Sequence, residues 1–195
     1  KAPLVMDYIA AINLPDNDDT DKLRGILKEK MANFYKQDPK VAWQAIRDVL
    51  DNTSLFQDSY VKREFYKLAE ELSVGDVEER DGLRSMMKED MHKFTENYRE
   101  VNLRIPASDE QWGQYNQSTV EASGMVEAFH TYMKTVASAQ EGMELTLELL
   151  ERGLSDKQIG AQILGEFIGR NPELKADILT GLKERKLYNL VDVIN

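Results

Sequence analysis

The stretch of sequence that decides the fold is VEERDGLRSMMKEDMHKFTENYREVNLRI, residues 77 to 105, which ends against Pro106. Its apolar positions recur alternately four and three residues apart, which is the spacing of one stripe along an α-helix. The stripe consists of Met87, Met91, Phe94, Tyr98, Val101 and Ile105. This spacing predicts a long helix with a seam onto which other helices pack.

Residues at both ends of the stretch set the limits of this helix. Asp76 is suited to cap the N-terminus, and Glu78 and Glu79 place negative charge in the first turn, where the helix dipole favours it. Pro106 lacks an amide hydrogen, so we expect the helix to end about a turn before it. At ~1.5 Å per residue the helix would be on the order of 40 Å long, which exceeds the width of a small domain. One helix is therefore expected to serve two packed groups.

Helical periodicity and capping signals fill the rest of the chain. Capping-box sequences, with Ser followed three residues later by Glu or Gln, occur at 108–111, 138–141 and 155–158. The first predicts a short helix through Tyr115, separate from a longer helix over 120–137. Period-two alternation bounded by turn pairs, the signal of strands, is not found. The predicted fold class is all-α, with two small helical bundles joined by a long shared central helix and domains at 1–104 and 105–195.

The first half is predicted to hold about four helices before the central one. Asp38 and Pro39 suit the cap and the first position of the third helix. In that helix Val41 and Ile46 are expected to face inward, and Trp43 to lie near the rim.

Composition limits the classes of function. The formal net charge is -10, which argues against binding to nucleic acid or to an anionic membrane surface and favours basic protein partners. The chain has no cysteine, so disulfides, thiolate nucleophiles and Cys-ligated zinc are excluded. No run of ~18 apolar residues and no leader-like start is found, so we expect neither a membrane span nor a signal peptide.

Several residues are candidates for sites of chemistry. The acidic stretch 16–21 lacks the Gly and Glu that an EF-hand loop needs, so we interpret it as a loop whose Asp19 or Thr20 caps the next helix. His92 and His130 have no second His one turn away, which a zinc-protease helix would need, and we interpret them as surface or boundary residues. Small residues at Gly160, Gly165 and Gly169 are expected to let another helix approach. No catalytic, cofactor or metal site is predicted, and the chain is expected not to be an enzyme.

One resemblance would give Arg84 a catalytic role. Gly82-Leu83-Arg84-Ser85 and Gln111-Trp112-Gly113 resemble the two motifs of bacterial toxin domains that activate Rho-type GTPases on an all-helical bundle. The resemblance implies that Arg84 enters the GTPase site as an arginine finger and offsets charge on the phosphate. The competing interpretation is an exposed helical arginine.

A second resemblance covers most of residues 38 to 194. Asp38-Pro39 with Trp43, Ala45 and Ile46 is similar to a helix start in the gatekeeper (switch) proteins of bacterial type III secretion. Residues 98–105 partly reproduce the end of their long middle helix, without the Ala-Gly before the asparagine. Later apolar positions follow the order of the family's second half, namely Phe129, Tyr132, 143–150, Phe167, Ile168 and 187–190.

The gatekeeper resemblance implies a stack of small four-helix bundles that share long helices and have no active site. Such proteins bind the cytoplasmic face of the secretion apparatus and partner proteins, and they control the timing of effector export. The implied partners are components of the apparatus and a small helical partner or chaperone. The implied location is the bacterial cytoplasm, at the inner face of the apparatus, or outside the cell after secretion.

The last helix is the predicted partner-binding surface. Its apolar residues could present one helix face to a small helical partner. They are Leu187, Tyr188, Leu190, Val191 and Ile194. The alternative is that these residues close the second bundle.

Overall fold

The computed structural model describes residues 2–55, 58–102, 108–136, 138–154 and 159–194. Within these ranges the chain forms ten α-helices and no strand, which confirms the all-α prediction. Numbered α1 to α10, the helices are Ala2–Ile12, Asp18–Gln37, Pro39–Asp51, Ser59–Leu72, Val77–Asn102, Asp109–Met133, Ala139–Arg152, Ile159–Arg170, Lys175–Glu184 and Tyr188–Ile194. A 3₁₀ turn, Pro172–Leu174, precedes α9. No helix in these ranges has the length and apolarity needed to cross a membrane.

The long helix α5 begins where the sequence predicts. It begins at Val77, and the Asp76 carboxylate accepts a 3.3 Å hydrogen bond from the Glu79 amide, which is the expected cap. It extends for 26 residues to Asn102, and residues 103–107, including Pro106, lie outside the described residues. Capping thus explains the start of the helix, and the predicted effect of Pro106 on its end stays a prediction.

The predicted seam of α5 is buried along its described length. Met87, Met91, Phe94 and Tyr98 are all buried, and the rings of Phe94 and Tyr98 stack with their centroids 5.9 Å apart. Ile105 and the side chain of Val101 lie outside the described residues. The four-three spacing therefore identified the inward face of α5 correctly wherever that face is described.

The chain divides into two compact units, Lys1–Leu83 and Arg84–Asn195. This division falls inside α5, so residues 77–83 of the helix belong to the first unit and 84–102 to the second. The boundary predicted between 104 and 105 lies outside the described residues. As expected, one helix contributes to two groups of packed helices.

The first unit is a bundle in which α1 to α4 pack on one another. Its core includes Tyr8, Met31, Ile46, Leu50, Phe65 and Leu68. Trp43 is buried and lies edge-on to the Tyr35 ring at 6.3 Å, whereas Val41 is exposed, so the predictions for these two residues of α3 are wrong. The buried positions of α3 are centred between Trp43 and Ile46, and Val41 lies on the opposite side of the helix.

In the second unit α8 packs on α6, α7 and α10, and α9 packs on α7 and α10. The core includes Met125, Phe129, Leu149, Ile163, Phe167 and Leu182.

α6 is one continuous helix, so the prediction of two helices over 108–137 is wrong. Residues 116–119 are polar but include no proline, and polar side chains alone do not end a helix.

The capping boxes give two confirmed helix starts. α6 begins at Asp109, directly after Ser108. α7 begins after Ser138, whose hydroxyl accepts a 3.3 Å hydrogen bond from the Glu141 amide. The third box, 155–158, lies outside the described residues.

Candidate functional site

The turn between α9 and α10 fixes the position of the last helix. The Leu187 amide donates to the Leu182 carbonyl at 2.9 Å, and the Lys186 amide donates to the Lys183 carbonyl at 3.0 Å. These two hydrogen bonds form a Schellman ending, in which a glycine usually takes the left-handed position. Lys186 holds that position here, with φ of 58°. α10 therefore leaves α9 in a defined direction.

α10 is attached to the second unit through its buried face. Leu190 and Val191 are buried, and α10 packs on α8 and α9. A Cβ atom on Gly160 of α8 would lie 3.1 Å from Leu190 Cδ2 and 2.3 Å from the Leu154 carbonyl oxygen. The absence of a side chain at Gly160 thus permits the close approach of α10 and of the preceding loop. This confirms the predicted role for Gly160.

The opposite face of α10 carries exposed apolar side chains. Tyr188 is 59% exposed and Val193 is 42% exposed, and Asn189 and Asp192 between them are also exposed. An exposed tyrosine on an anchored helix is the kind of side chain that dominates protein interfaces, because its large ring loses little conformational entropy on binding.

The structure separates the predicted partner-binding residues into three groups. Tyr188 is at the surface, whereas Leu190 and Val191 face the core of the second unit, and Leu187 and Ile194 are half-buried. Sequence reasoning did not select Val193. Val193 is apolar and lies in the same predicted helix as the selected residues, so the signal was available in the sequence.

Arg84 is held inside the second unit. Its Nε donates a 2.9 Å hydrogen bond to the Thr135 carbonyl oxygen, and its Nη2 donates to the same atom. Nε also lies 3.8 Å from Glu141 Oε1, and only 18% of the side chain is exposed. The interpretation of Arg84 as an exposed arginine is therefore wrong. The GTPase-activating role stays a prediction, and it would require the guanidinium to leave these acceptors.

Tyr132 lies in the same polar region. Its ring is buried. Burial and then the Glu141 carboxylate raise the pKa of Tyr132 to about 12, while the Arg84 guanidinium acts in the opposite direction. The hydroxyl therefore stays protonated at neutral pH, and this region helps to hold α5, α6 and α7 together.

Both histidines face carboxylates from other helices. His92 Nε2 lies 3.3 Å from Glu148 Oε2 of α7, and His130 Nδ1 lies 2.9 Å from Glu166 Oε2 of α8. The Arg170 guanidinium lies 3.1 Å from both ring nitrogens of His130. The sequence analysis considered only partners on the same helix. It therefore did not identify Glu148 and Glu166, which lie on other helices. Each histidine thus takes part in a contact between helices.

The acidic stretch 16–21 shapes the turn between α1 and α2. Asn17, not Asp19 or Thr20, is the N-cap of α2: its side chain accepts from the Thr20 amide at 2.9 Å, and the Thr20 hydroxyl accepts from the Asn17 amide at 3.0 Å. The capping prediction is therefore wrong by two or more positions, because the helix starts one residue before Asp19. In the described ranges no three His, Asp or Glu residues are placed to hold a metal ion.

Arg24 of α2 ends α1 by binding its last carbonyl groups. Nε donates to the Ala11 oxygen at 2.8 Å, and Nη2 donates to the Ile12 and Leu14 oxygens at 3.1 and 2.8 Å. Nη1 pairs with Asp16 at 2.5 Å. One guanidinium therefore satisfies carbonyl groups that the end of a helix leaves without partners.

Gly165 and Gly169 differ from Gly160 in their surroundings. A Cβ atom on either residue would meet nothing within 4 Å. Both line an open surface cavity of ≈ 450 Å³ between α6 and α8, together with Val126. The prediction that these two glycines permit the approach of another helix is therefore not met within the described chain.

The candidate site is thus the exposed face of α10, defined by Tyr188 and Val193 and fixed from below by Leu190 and Val191. A surface of this kind binds by shape and apolar contact. Comparison of the chain with family models, with curated proteins and with solved structures finds no match.

Proposed function

We propose that the chain is a non-enzymatic protein-interaction module of the type III secretion gatekeeper kind. In this proposal it binds components of the secretion apparatus and partner proteins in the bacterial cytoplasm, and thereby controls the order or timing of effector export. The resemblance over residues 38 to 194 supports the assignment to secretion. The helical fold and the net charge of -10 support a role in binding proteins with basic surfaces.

The observation that carries the proposal is the exposure of Tyr188 and Val193 on an anchored helix. Because the Schellman turn and the buried Leu190 hold α10 in place, little order has to be gained when a partner binds. A small helical partner or chaperone could lay an apolar groove over this face.

The first experiment locates the contact. A photo-crosslinking amino acid is placed at Tyr188, and, as a matched control, at Met6 of the first unit, which is 62% exposed. Both proteins are expressed in a bacterium that has a type III secretion system. We expect components of the apparatus or a small helical partner to crosslink at position 188 and not at position 6. Recovery of no secretion component from either position would contradict the proposal.

The second experiment measures how much the exposed face of α10 contributes to the affinity for the partner. Tyr188→Ala is expected to weaken the binding of the captured partner by roughly tenfold or more, because exposed tyrosines at interface centres are frequent hot spots. Met6→Ala is the control and should leave the affinity unchanged. Loss of the chain should deregulate effector export, and Tyr188→Ala should reproduce part of that defect. Normal export in both strains would overturn the assignment to secretion.

A further inference from the structure

The first unit contains a surface cavity that the proposed function does not use. It has a volume of ≈ 330 Å³ and lies between α1, α2 and α4. The lining residues that matter here are Tyr8, Arg24, Gly25, Lys28, Tyr60 and Glu64. This volume admits a small organic group.

The floor of the cavity is formed by the Tyr8 side chain. Tyr8 is 1% exposed, and its ring lies edge-on to Phe65 with the centroids 5.4 Å apart. In the described part of the chain the Tyr8 hydroxyl makes no hydrogen bond. A hydroxyl that lines a cavity can both donate and accept a hydrogen bond, so it can contact a ligand atom there.

The cations that line the cavity are engaged elsewhere. The Arg24 guanidinium is used by the carbonyl groups at the end of α1 and by Asp16. Lys28 Nζ lies 3.8 Å from Glu71 Oε1. Glu64 Oε1 pairs with Lys67 at 3.1 Å, whereas Glu64 Oε2 accepts no hydrogen bond from the described residues. The cavity therefore offers two free acceptors, one of them a carboxylate oxygen.

The electrostatic field at the floor favours positive charge. Burial raises the pKa of Tyr8 most, and the carboxylates of Glu64 and Glu71 each raise it further by more than the Arg24 guanidinium lowers it. The two carboxylates therefore act on the hydroxyl more strongly than the guanidinium does, which favours a cation at this place. An anion at the same place would be repelled by the two carboxylates.

We propose that this cavity binds an organic cation with N–H donors, an alkylammonium or a guanidinium group, which donates to the Tyr8 hydroxyl and to Glu64 Oε2. The group can come from a free polyamine-like molecule or from a Lys or Arg side chain of a protein partner. This inference goes beyond the proposed function, which depends on α10 in the other unit, and each can fail without the other.

The test is a titration of the full-length chain followed by backbone amide NMR. The probes are ethylguanidinium chloride and butylammonium chloride, with sodium chloride and sodium butyrate at equal ionic strength as controls. We expect saturable shifts at Tyr8, Gly25 and Tyr60 with affinities in the millimolar range, since the probes are small. Equal shifts with butyrate, or shifts confined to the exposed stretch 16–21, would overturn the proposal.

Gly25 allows the cavity to be filled. An added Cβ atom at Gly25 meets nothing within 4 Å, so Gly25→Leu can fold while its side chain occupies the space. Gly82→Leu is the matched control, because Gly82 is also helical, has equally open surroundings and lies outside the cavity. Gly25→Leu is expected to abolish the saturable shifts and Gly82→Leu to leave them unchanged. Unaltered binding by Gly25→Leu would overturn the proposal.

Two further variants test the acceptors and keep the outcome decisive if Gly25→Leu folds poorly. Tyr8→Phe removes the hydroxyl and should weaken binding roughly threefold to tenfold, and Glu64→Gln, which removes a charged acceptor, should weaken it by roughly tenfold or more. No change in either variant would contradict the proposed contacts.

The source of the cation is distinguished by two additional probes. Agmatine represents a free ligand, and a blocked tripeptide with a central arginine represents a partner's side chain. Both carry the group that the cavity is proposed to bind. Tighter binding of agmatine identifies a free ligand, and equal or tighter binding of the peptide identifies a protein side chain. Binding of neither probe would overturn the proposal.

Discussion

At the residue scale, Arg24 shows how a side chain from one helix can complete another. Its guanidinium binds three carbonyl groups at the end of α1, and its side chain is 16% exposed. Arg24→Lys should therefore lower the urea midpoint of unfolding, because an ammonium group cannot reproduce the planar fork. Arg47→Lys is the control, since Arg47 is half-exposed and has one partner at 4.0 Å. Urea unfolding measures both, and equal losses would contradict this role.

Tyr35 gives a prediction about alkaline pH. Burial, the Asp76 charge and a 3.3 Å hydrogen bond to Asp76 raise the pKa of Tyr35 from 10.0 to about 12. The folded state therefore holds this proton more tightly, and the stability it provides is full below about pH 10 and is lost as the pH rises through about 12. Tyr35→Phe should cost about 0.5–1.5 kcal/mol near pH 8 and less near pH 11. Urea unfolding at the two pH values tests this, and a constant difference would refute it.

Lys186 occupies a backbone conformation that costs free energy for a residue with a side chain. Its φ of 58° lies in the left-handed region. Lys186→Gly should raise the free energy of unfolding by about 0.5–1 kcal/mol, after allowance for the greater freedom of glycine in the unfolded chain. Lys183→Gly, inside α9, should lower it by a similar amount. Destabilisation by Lys186→Gly, measured in urea, would show that the side chain itself is needed.

At the element scale, substitution of two of the glycines in α8 is expected to have opposite effects on stability. Gly160→Ala would place a Cβ atom 2.3 Å from the Leu154 carbonyl oxygen and should lower the free energy of unfolding by about 1–3 kcal/mol. Gly165→Ala meets nothing within 4 Å and should raise it by about 0.5–1 kcal/mol. Urea midpoints of the two variants provide the comparison. Similar effects would contradict the packing of α10 on α8.

The elements also show what periodicity can predict. The start of α5, its buried seam and the caps of α6 and α7 follow from local sequence, because each depends on residues within about one turn. The wrong prediction over 108–137 has a local cause too, because the polar residues 116–119 include no proline and do not end the helix. Trp43 was misplaced because the direction of the inward face is set by neighbouring helices, which the sequence of α3 alone does not specify.

Contacts that join distant residues could not be predicted in this way. Arg84 binds the Thr135 carbonyl, 51 residues later, and His130 faces Glu166, 36 residues later. No spacing rule within one helix relates such pairs. For the candidate site, the sequence predicts Tyr188 as a binding residue because it belongs to the apolar set of the last helix. The burial of Leu190 could not be predicted, because it depends on the packing of α10 on α8.

At the scale of the whole molecule, two units with separate cores should respond separately to core substitutions. Leu50 is buried in the first unit and Leu149 in the second. In a Trp112→Phe background, Trp43 fluorescence reports on the first unit alone. Leu50→Ala should destabilise the transition seen by Trp43 by about 2–5 kcal/mol, whereas Leu149→Ala should affect it much less. Equal shifts would mean that the chain unfolds as one unit.

The side chain that completes α1 also has a consequence for the order of events during synthesis. The carbonyl groups of Ala11 and Ile12 receive their partner from a residue 13 and 12 positions downstream. A chain emerging from the ribosome presents α1 before α2, at about 5–20 residues per second. Until Arg24 has left the exit tunnel, the nascent helix α1 has no closing group, and its last turn should fray. α1 is thus a helix that only a later part of the chain can complete.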